Sequence, residues 1–225
     1  MRIRTKILGG FMIIAAIAMT LGIIGLVSTL TLNRITTELH ELQKDQQSIS
    51  NVLNAHYLWK QRLTESVLSG SEFKGSLDPK KCALGEWLNS EYAKKIKDPE
   101  MLHLMNSLSN PHGFIHTGAN SIVTLIQAGK LEEARVFLER IIFPKTDEVI
   151  SFLINMQARY VGLVEAKDSE STEIADFMKV FNIGFIIIAA LVCAFLAFYI
   201  SGKISEPIVM ITNYIKTEVD QKMFK

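Results

Sequence analysis

Five histidines and two cysteines are the residues of this chain best suited to hold a metal ion. His112 and His116 sit four apart in "PHGFIH". On a helix that spacing puts both imidazoles on one face, a turn apart, where they can reach a single ion. His56 falls on a helical stripe of apolar residues, and Cys82, in "DPKKCALGEW", lies in a turn leading into a short helix. Three imidazoles and one thiolate would make a closed tetrahedral zinc site. The thiolate would be the softest donor and would be held deprotonated by the metal. An ordinary reading stands beside this one. A histidine on an apolar stripe can be a core residue with a satisfied nitrogen, and Cys82 can be a small buried hydrophobe. The four residues are far apart in sequence, so spacing alone leaves both readings open. His103, beyond Pro111 from the pair, reads as a surface or core residue, and His40, near Glu38 and Glu41, as a solvated one.

The elements that must position these side chains begin with two uncharged stretches, Ile7–Leu30 and Val180–Ile200. Each is about 20 residues or slightly longer, the length that spans a hydrocarbon core as a helix. The first is too long for the apolar region of a signal peptide and shows no convincing cleavage site, so it reads as an uncleaved anchor. Arg2, Arg4 and Lys6 precede the first span, and Lys203 and Lys216 follow the second. Basic flanks stay in the cytoplasm. The expected layout is a cytoplasmic N-terminus (1–6), a transmembrane helix (7–30), an extracytoplasmic segment (31–179), a second transmembrane helix (180–200) and a cytoplasmic tail (201–225). This is a two-pass protein of a bacterial inner membrane with both termini inside. Cys193 then lies in the second span and Cys82 outside, so the bilayer keeps them from pairing. A lone external thiol points to an intermolecular disulfide, a metal ligand or a reactive thiol. The net charge of +1 gives no reason to invoke nucleic acid.

The external segment reads as all-α. Leu32, Ile35, Leu39, Leu42, Ile49, Leu53, His56, Leu63 and Val67 form a stripe in steps of three, four and their multiples, unbroken until Gly70. At 1.5 Å per residue this helix would project about 55 Å above the membrane, with His56 about 35 Å up. "GSEFKGSLDPKK" reads as a loop and "CALGEWLNSEYAKKI" as one short helix. Asp98-Pro99 and Asn110-Pro111 each read as a helix start, and Gly129 ends the second of these helices. "LEEARVFLERII" reads as a helix stopped before Pro144. A last helix then runs from Lys145 into the second span, also about 50 Å tall. Two long helices framing shorter ones suggest a four-helix bundle standing on the membrane.

"HYLW" (His56–Trp59), "CALGEWL" (Cys82–Leu88) and "HGFIH" (His112–His116) together resemble the chemoreceptor zinc-binding domain, CZB. That family shows a His with a Trp three residues on, then Cys-x-x-Gly-x-Trp, then His-x-x-x-His, in this order. The resemblance covers about residues 50–155 and takes in "GKLEEARVFLERII" as the family's fourth segment. It implies a four-helix bundle that binds zinc through His56, Cys82, His112 and His116. Trp59 would wall the site, Gly85 would let the Cys82 turn approach the helices closely, and Trp87 would pack the short helix down. Lys80 and Lys81 would favour the thiolate if they lie near it. Gly22 and Gly25 would allow close packing of the first span.

The anchor, external helical module, second span and proline-led tail resemble the sensory half of a methyl-accepting chemotaxis protein. "ISEPIVMITNYI" is similar to the first helix of a HAMP module. No second HAMP helix or methylated hairpin follows it, so the expectation is a truncated receptor or a short protein whose output is lost or supplied in trans. The resemblance implies a signal-transducing sensor that responds to metal or to oxidants such as hypochlorous acid acting on the zinc-bound thiolate, and the long juxtamembrane helices make a parallel homodimer the expected assembly. The alternative is a metal-free membrane-anchored bundle that binds a small molecule or a periplasmic partner. A zinc hydrolase is remote: four protein ligands would fill the shell, and "HGFIH" lacks the Glu of HExxH metalloproteases. The chain is therefore expected not to be an enzyme.

Overall fold

The structure, a computed structural model, describes residues 3–223. Arg2 of the N-terminal basic flank lies outside the described residues, as do the side chains of Arg4 and Lys6 and of residues 204–206 and 218–223. Every regular element among the described residues is helical. They are α1 (Ile3–Ser69), α2 (Ala83–Leu88), α3 (Glu91–Lys95), α4 (Pro99–Gln127), α5 (Leu131–Phe137), a π-helical turn (Leu138–Ile142) and α6 (Phe143–Met223). The chain divides into two compact units, Met1–Thr36 with Glu170–Lys225, and Thr37–Ser169.

The first unit is built from the apolar ends of α1 and α6. Many of its large side chains, Phe11, Met19, Phe195 and Phe198 among them, are exposed. Both helices are long and apolar enough to cross a membrane. Where they meet, Gly10 lies under Ile200, whose Cδ1 would come 2.3 Å from an added Cβ. Gly22 and Gly25, expected to serve this purpose, have no such neighbour within 4 Å among the described residues.

The second unit holds the polar-faced helices and the main core. The α1 stripe buries Ile49, Leu53, His56, Leu63 and Val67, as its period requires, and adds Val52 and Trp59. Facing it from α6 are Val149, Leu153, Met156 and Tyr160. Polar contacts register the two helices: Gln157 donates to Ser50 Oγ at 2.7 Å, Lys60 pairs with Asp147, and Lys60 Nζ sits 4.8 Å from the Phe143 ring centroid. Gly70 ends α1 at φ 65° and Gly129 follows α4 at φ 71°, both in the left-handed region that glycine enters without a Cβ clash.

The structure differs from expectation in three places. The helix expected over Cys82–Ile96 is two, because Ser90 caps α3, its hydroxyl accepting from Ala93 N at 3.2 Å. Asn110-Pro111 opens no new helix, and Pro111 lies buried inside α4. An interior proline costs about 3 kcal/mol. Met101, Leu104, Leu108, Ile115, Ala119 and Ile122 bury one face across both halves of α4, and this burial offsets the lost backbone bond. Pro144 stops nothing either, since helical structure continues from Leu131 through it. The π turn explains why. Phe143 N–H bonds to the carbonyl of Leu138, five residues back. This extra residue in the turn eases the clash of the proline ring with the carbonyl four positions before it. Thr146 Oγ1 donates to the Ile142 carbonyl at 2.8 Å.

Candidate metal centre

His56 projects from the buried face of α1, and His112 and His116 from the buried face of α4. The loop after α1 delivers Cys82, which caps α2: its Sγ accepts from Gly85 N at 3.3 Å. The close approach expected at Gly85 is real but is made elsewhere. An added Cβ would lie 1.9 Å from the Pro79 carbonyl oxygen, so glycine is needed to fold the Cys82 turn on itself and not against the helices. Trp87 is buried in the core beneath α2.

These segments bring His56, Cys82, His112 and His116 together. One ligand atom from each lies within 4.8 Å of all the others, and all four residues are buried. Cys82 Sγ is 3.1 Å from His112 Nε2, which is 3.2 Å from His116 Nε2. Backbone carbonyls set two of the tautomers. His56 Nδ1 lies 3.0 Å from the Val52 carbonyl, and His116 Nδ1 lies 3.1 Å from that of Ser76. A carbonyl only accepts, so each Nδ1 carries the hydrogen and each Nε2 turns a lone pair inward. The Ser76 carbonyl also accepts from Trp59 Nε1 at 2.9 Å. The Trp59 ring stands 5.1 Å from that of His116 and so walls the cluster.

Electrostatics favour neutral imidazoles. Burial, then the neighbouring His116 and His56, lowers the His112 pKa to about 3. Burial, then His56, lowers His116 to about 4, and burial lowers His56. Burial raises the Cys82 thiol against the backbone N–H groups that favour its thiolate. Lys80 and Lys81 are exposed and are not among the groups that set it, so their expected support for the thiolate is absent.

A zinc ion fits this donor set. His56 Nε2 is buried and has no hydrogen-bond partner among the described residues, a state costing about 1–3 kcal/mol. A cation among the four donors would satisfy it. Zinc bonds of about 2.0–2.3 Å imply donor separations near 3.3–3.6 Å. The His112–His116 spacing of 3.2 Å is already close to this, and no pair, all lying within 4.8 Å, would need to close by more than about 1.5 Å. Nitrogen and sulfur donors without a carboxylate suit zinc and not calcium or magnesium. His103 and His40 are exposed and stand outside the cluster.

Residues 56–123 match the family model of the chemoreceptor zinc-binding domain. The match begins at His56 and contains all four clustered residues. CZB is a zinc-binding domain, so zinc is the ion that this region of the chain is built for. The matched residues stop before α5, short of the boundary near 155 that the sequence suggested. No curated protein and no solved structure matches the chain. Sequence reasoning missed the carbonyls of Val52, Ser76 and Pro79. A backbone acceptor leaves no mark in residue type, although Trp59, a buried donor in need of a partner, hinted at one.

Proposed function

We propose that this chain is a membrane-spanning chemoreceptor-type sensor whose extracytoplasmic CZB-like bundle holds zinc through His56, Cys82, His112 and His116. The observation that carries the reading is the buried cluster of three imidazoles and one thiol inside the CZB-matching residues. Two helices of spanning length and apolarity support the spans at 7–30 and 180–200, and the basic flanks support cytoplasmic termini. The stretch after Pro207, similar to a HAMP helix, would pass the signal on, and a parallel homodimer is the arrangement proposed for the long helices.

The chain's own residues supply the switch. The cluster ties three segments: α1 through His56, the α2 turn through Cys82, and α4 through His112 and His116. Bound zinc would supply positive charge that keeps the Cys82 sulfur a thiolate. An oxidant that delivers an oxygen atom to that sulfur would turn it into a sulfenic acid, a poorer donor, and release the α2 turn. Gain or loss of the metal would act on the same tie. With four protein donors the site leaves no open position for hydrolysis. Elemental analysis of the purified protein tests the assignment. One zinc per chain is expected for the wild type, with loss of most of it in Cys82→Ala. Full zinc content in Cys82→Ala would remove the thiolate from the ligand set.

A further inference from the structure

A cavity of about 510 Å³ opens in the second unit, where α3 and the start of α4 meet α1 and α6. That volume is in the range of small-ligand pockets. Leu42, Ile96, Met101 and Leu163 give it apolar walls. Tyr160 lines it with 3 % of its surface exposed. Its hydroxyl oxygen makes no hydrogen bond with another described residue and, unlike His56 Nε2, is not fully enclosed by protein, so a ligand in the cavity can reach it. Asp45, half-buried, lines the same space. Two other lining carboxylates are paired: Glu38 with Lys167 at 2.6 Å, and Asp98 with Arg159. Asp45 has no such cation among the described residues.

We propose that this cavity is a second ligand site, for a small organic ammonium ion with an apolar body, whose N–H groups are shared between the Asp45 carboxylate and the Tyr160 hydroxyl. A carboxylate only accepts hydrogen bonds and the hydroxyl oxygen also accepts, so a donor group satisfies both. Burial first, and then the Glu41 carboxylate, pushes Asp45 up from its ordinary carboxylate value. A cation beside Asp45 offsets both effects, whereas an anion would add to the repulsion. The walls then take the apolar part of the ligand. Lys44, Lys95 and Lys97 lie at the rim, exposed to water.

The test uses the full zinc-loaded chain in detergent and fluorine NMR. The probe is para-fluorobenzylamine, with para-fluorobenzyl alcohol and para-fluorobenzoate as controls for shape and for partition into the micelle. The amine resonance should broaden saturably on adding protein, and those of the controls should not. Asp45→Asn should weaken amine binding about tenfold or more, since a charge-assisted hydrogen bond is lost. Tyr160→Phe should weaken it less, and Leu163→Trp, which fills the cavity, should abolish it. Zinc content and helical circular dichroism of each variant show that the fold and metal centre persist, and the three variants do not depend on one another. An amine that binds wild type and Asp45→Asn alike, a stronger response to the benzoate, or no amine binding at millimolar concentration would overturn the proposal. None of these outcomes bears on the zinc site.

Discussion

At the scale of single residues, the cluster is assembled by groups with no chemical signature of their own. His56, Cys82, His112 and His116 could be read in the sequence as residues able to bind metal. What aims them could not: the carbonyls of Val52 and Ser76 fix the His56 and His116 rings, and the fold of the Cys82 turn against Pro79 requires Gly85. With both Nδ1 hydrogens committed outward, three crowded imidazoles resist protonation. Their folded pKa values lie below the unfolded value near 6.5. In metal-free protein the unfolded chain therefore binds more protons than the folded one below that value. Stability is fully present above about pH 6.5 and declines as pH falls toward the folded values of about 4 and 3. Thermal unfolding of chelator-treated protein should show a lower midpoint at pH 5 than at pH 7, and a His112→Leu variant should show a smaller drop. An equal or rising midpoint at the lower pH would contradict these environments.

The elements were legible where local chemistry and tertiary packing agree. The α1 stripe, the stop at Gly70 and the Asp98-Pro99 start all follow from spacing or capping, and the structure has all three. Pro111 and Pro144 misled because burial along α4 and a π turn accommodate them, and both depend on contacts distant in sequence. Asp98 shows how a cap can do more than start a helix. It accepts from Met101 N at 3.0 Å, and it takes both Arg159 Nε, at 3.0 Å, and Nη2 of α6. The guanidinium holds its carboxyl below the usual range. Asp98→Ala loses both the cap and the link to α6 and should cost about 1–3 kcal/mol in denaturant unfolding. Asp98→Asn keeps a capping oxygen and should cost less. Equal losses would mean that the arginine link alone matters.

For the whole molecule, the proposed topology puts the metal centre and the tail on opposite sides of a bilayer. A cysteine introduced at exposed Ser71 should react with a membrane-impermeant maleimide in intact cells. One at exposed Lys203 should react only after permeabilisation. The reverse pattern would invert the orientation, and labelling of both in intact cells would remove the spans. The apolar stretches were plain in the sequence because a span needs only length and composition. The cavity beside Asp45 was not, because Tyr160 reads as one more stripe residue until its hydroxyl is seen to lack a partner. One consequence concerns light. The chain has two tryptophans. Trp59 shares the Ser76 carbonyl with His116, and Trp87 lies on the helix that Cys82 caps. Red-edge ultraviolet excitation, which passes over tyrosine, would therefore draw its emission from the neighbourhood of the metal centre, giving the protein a native optical gauge of that region with no dye attached.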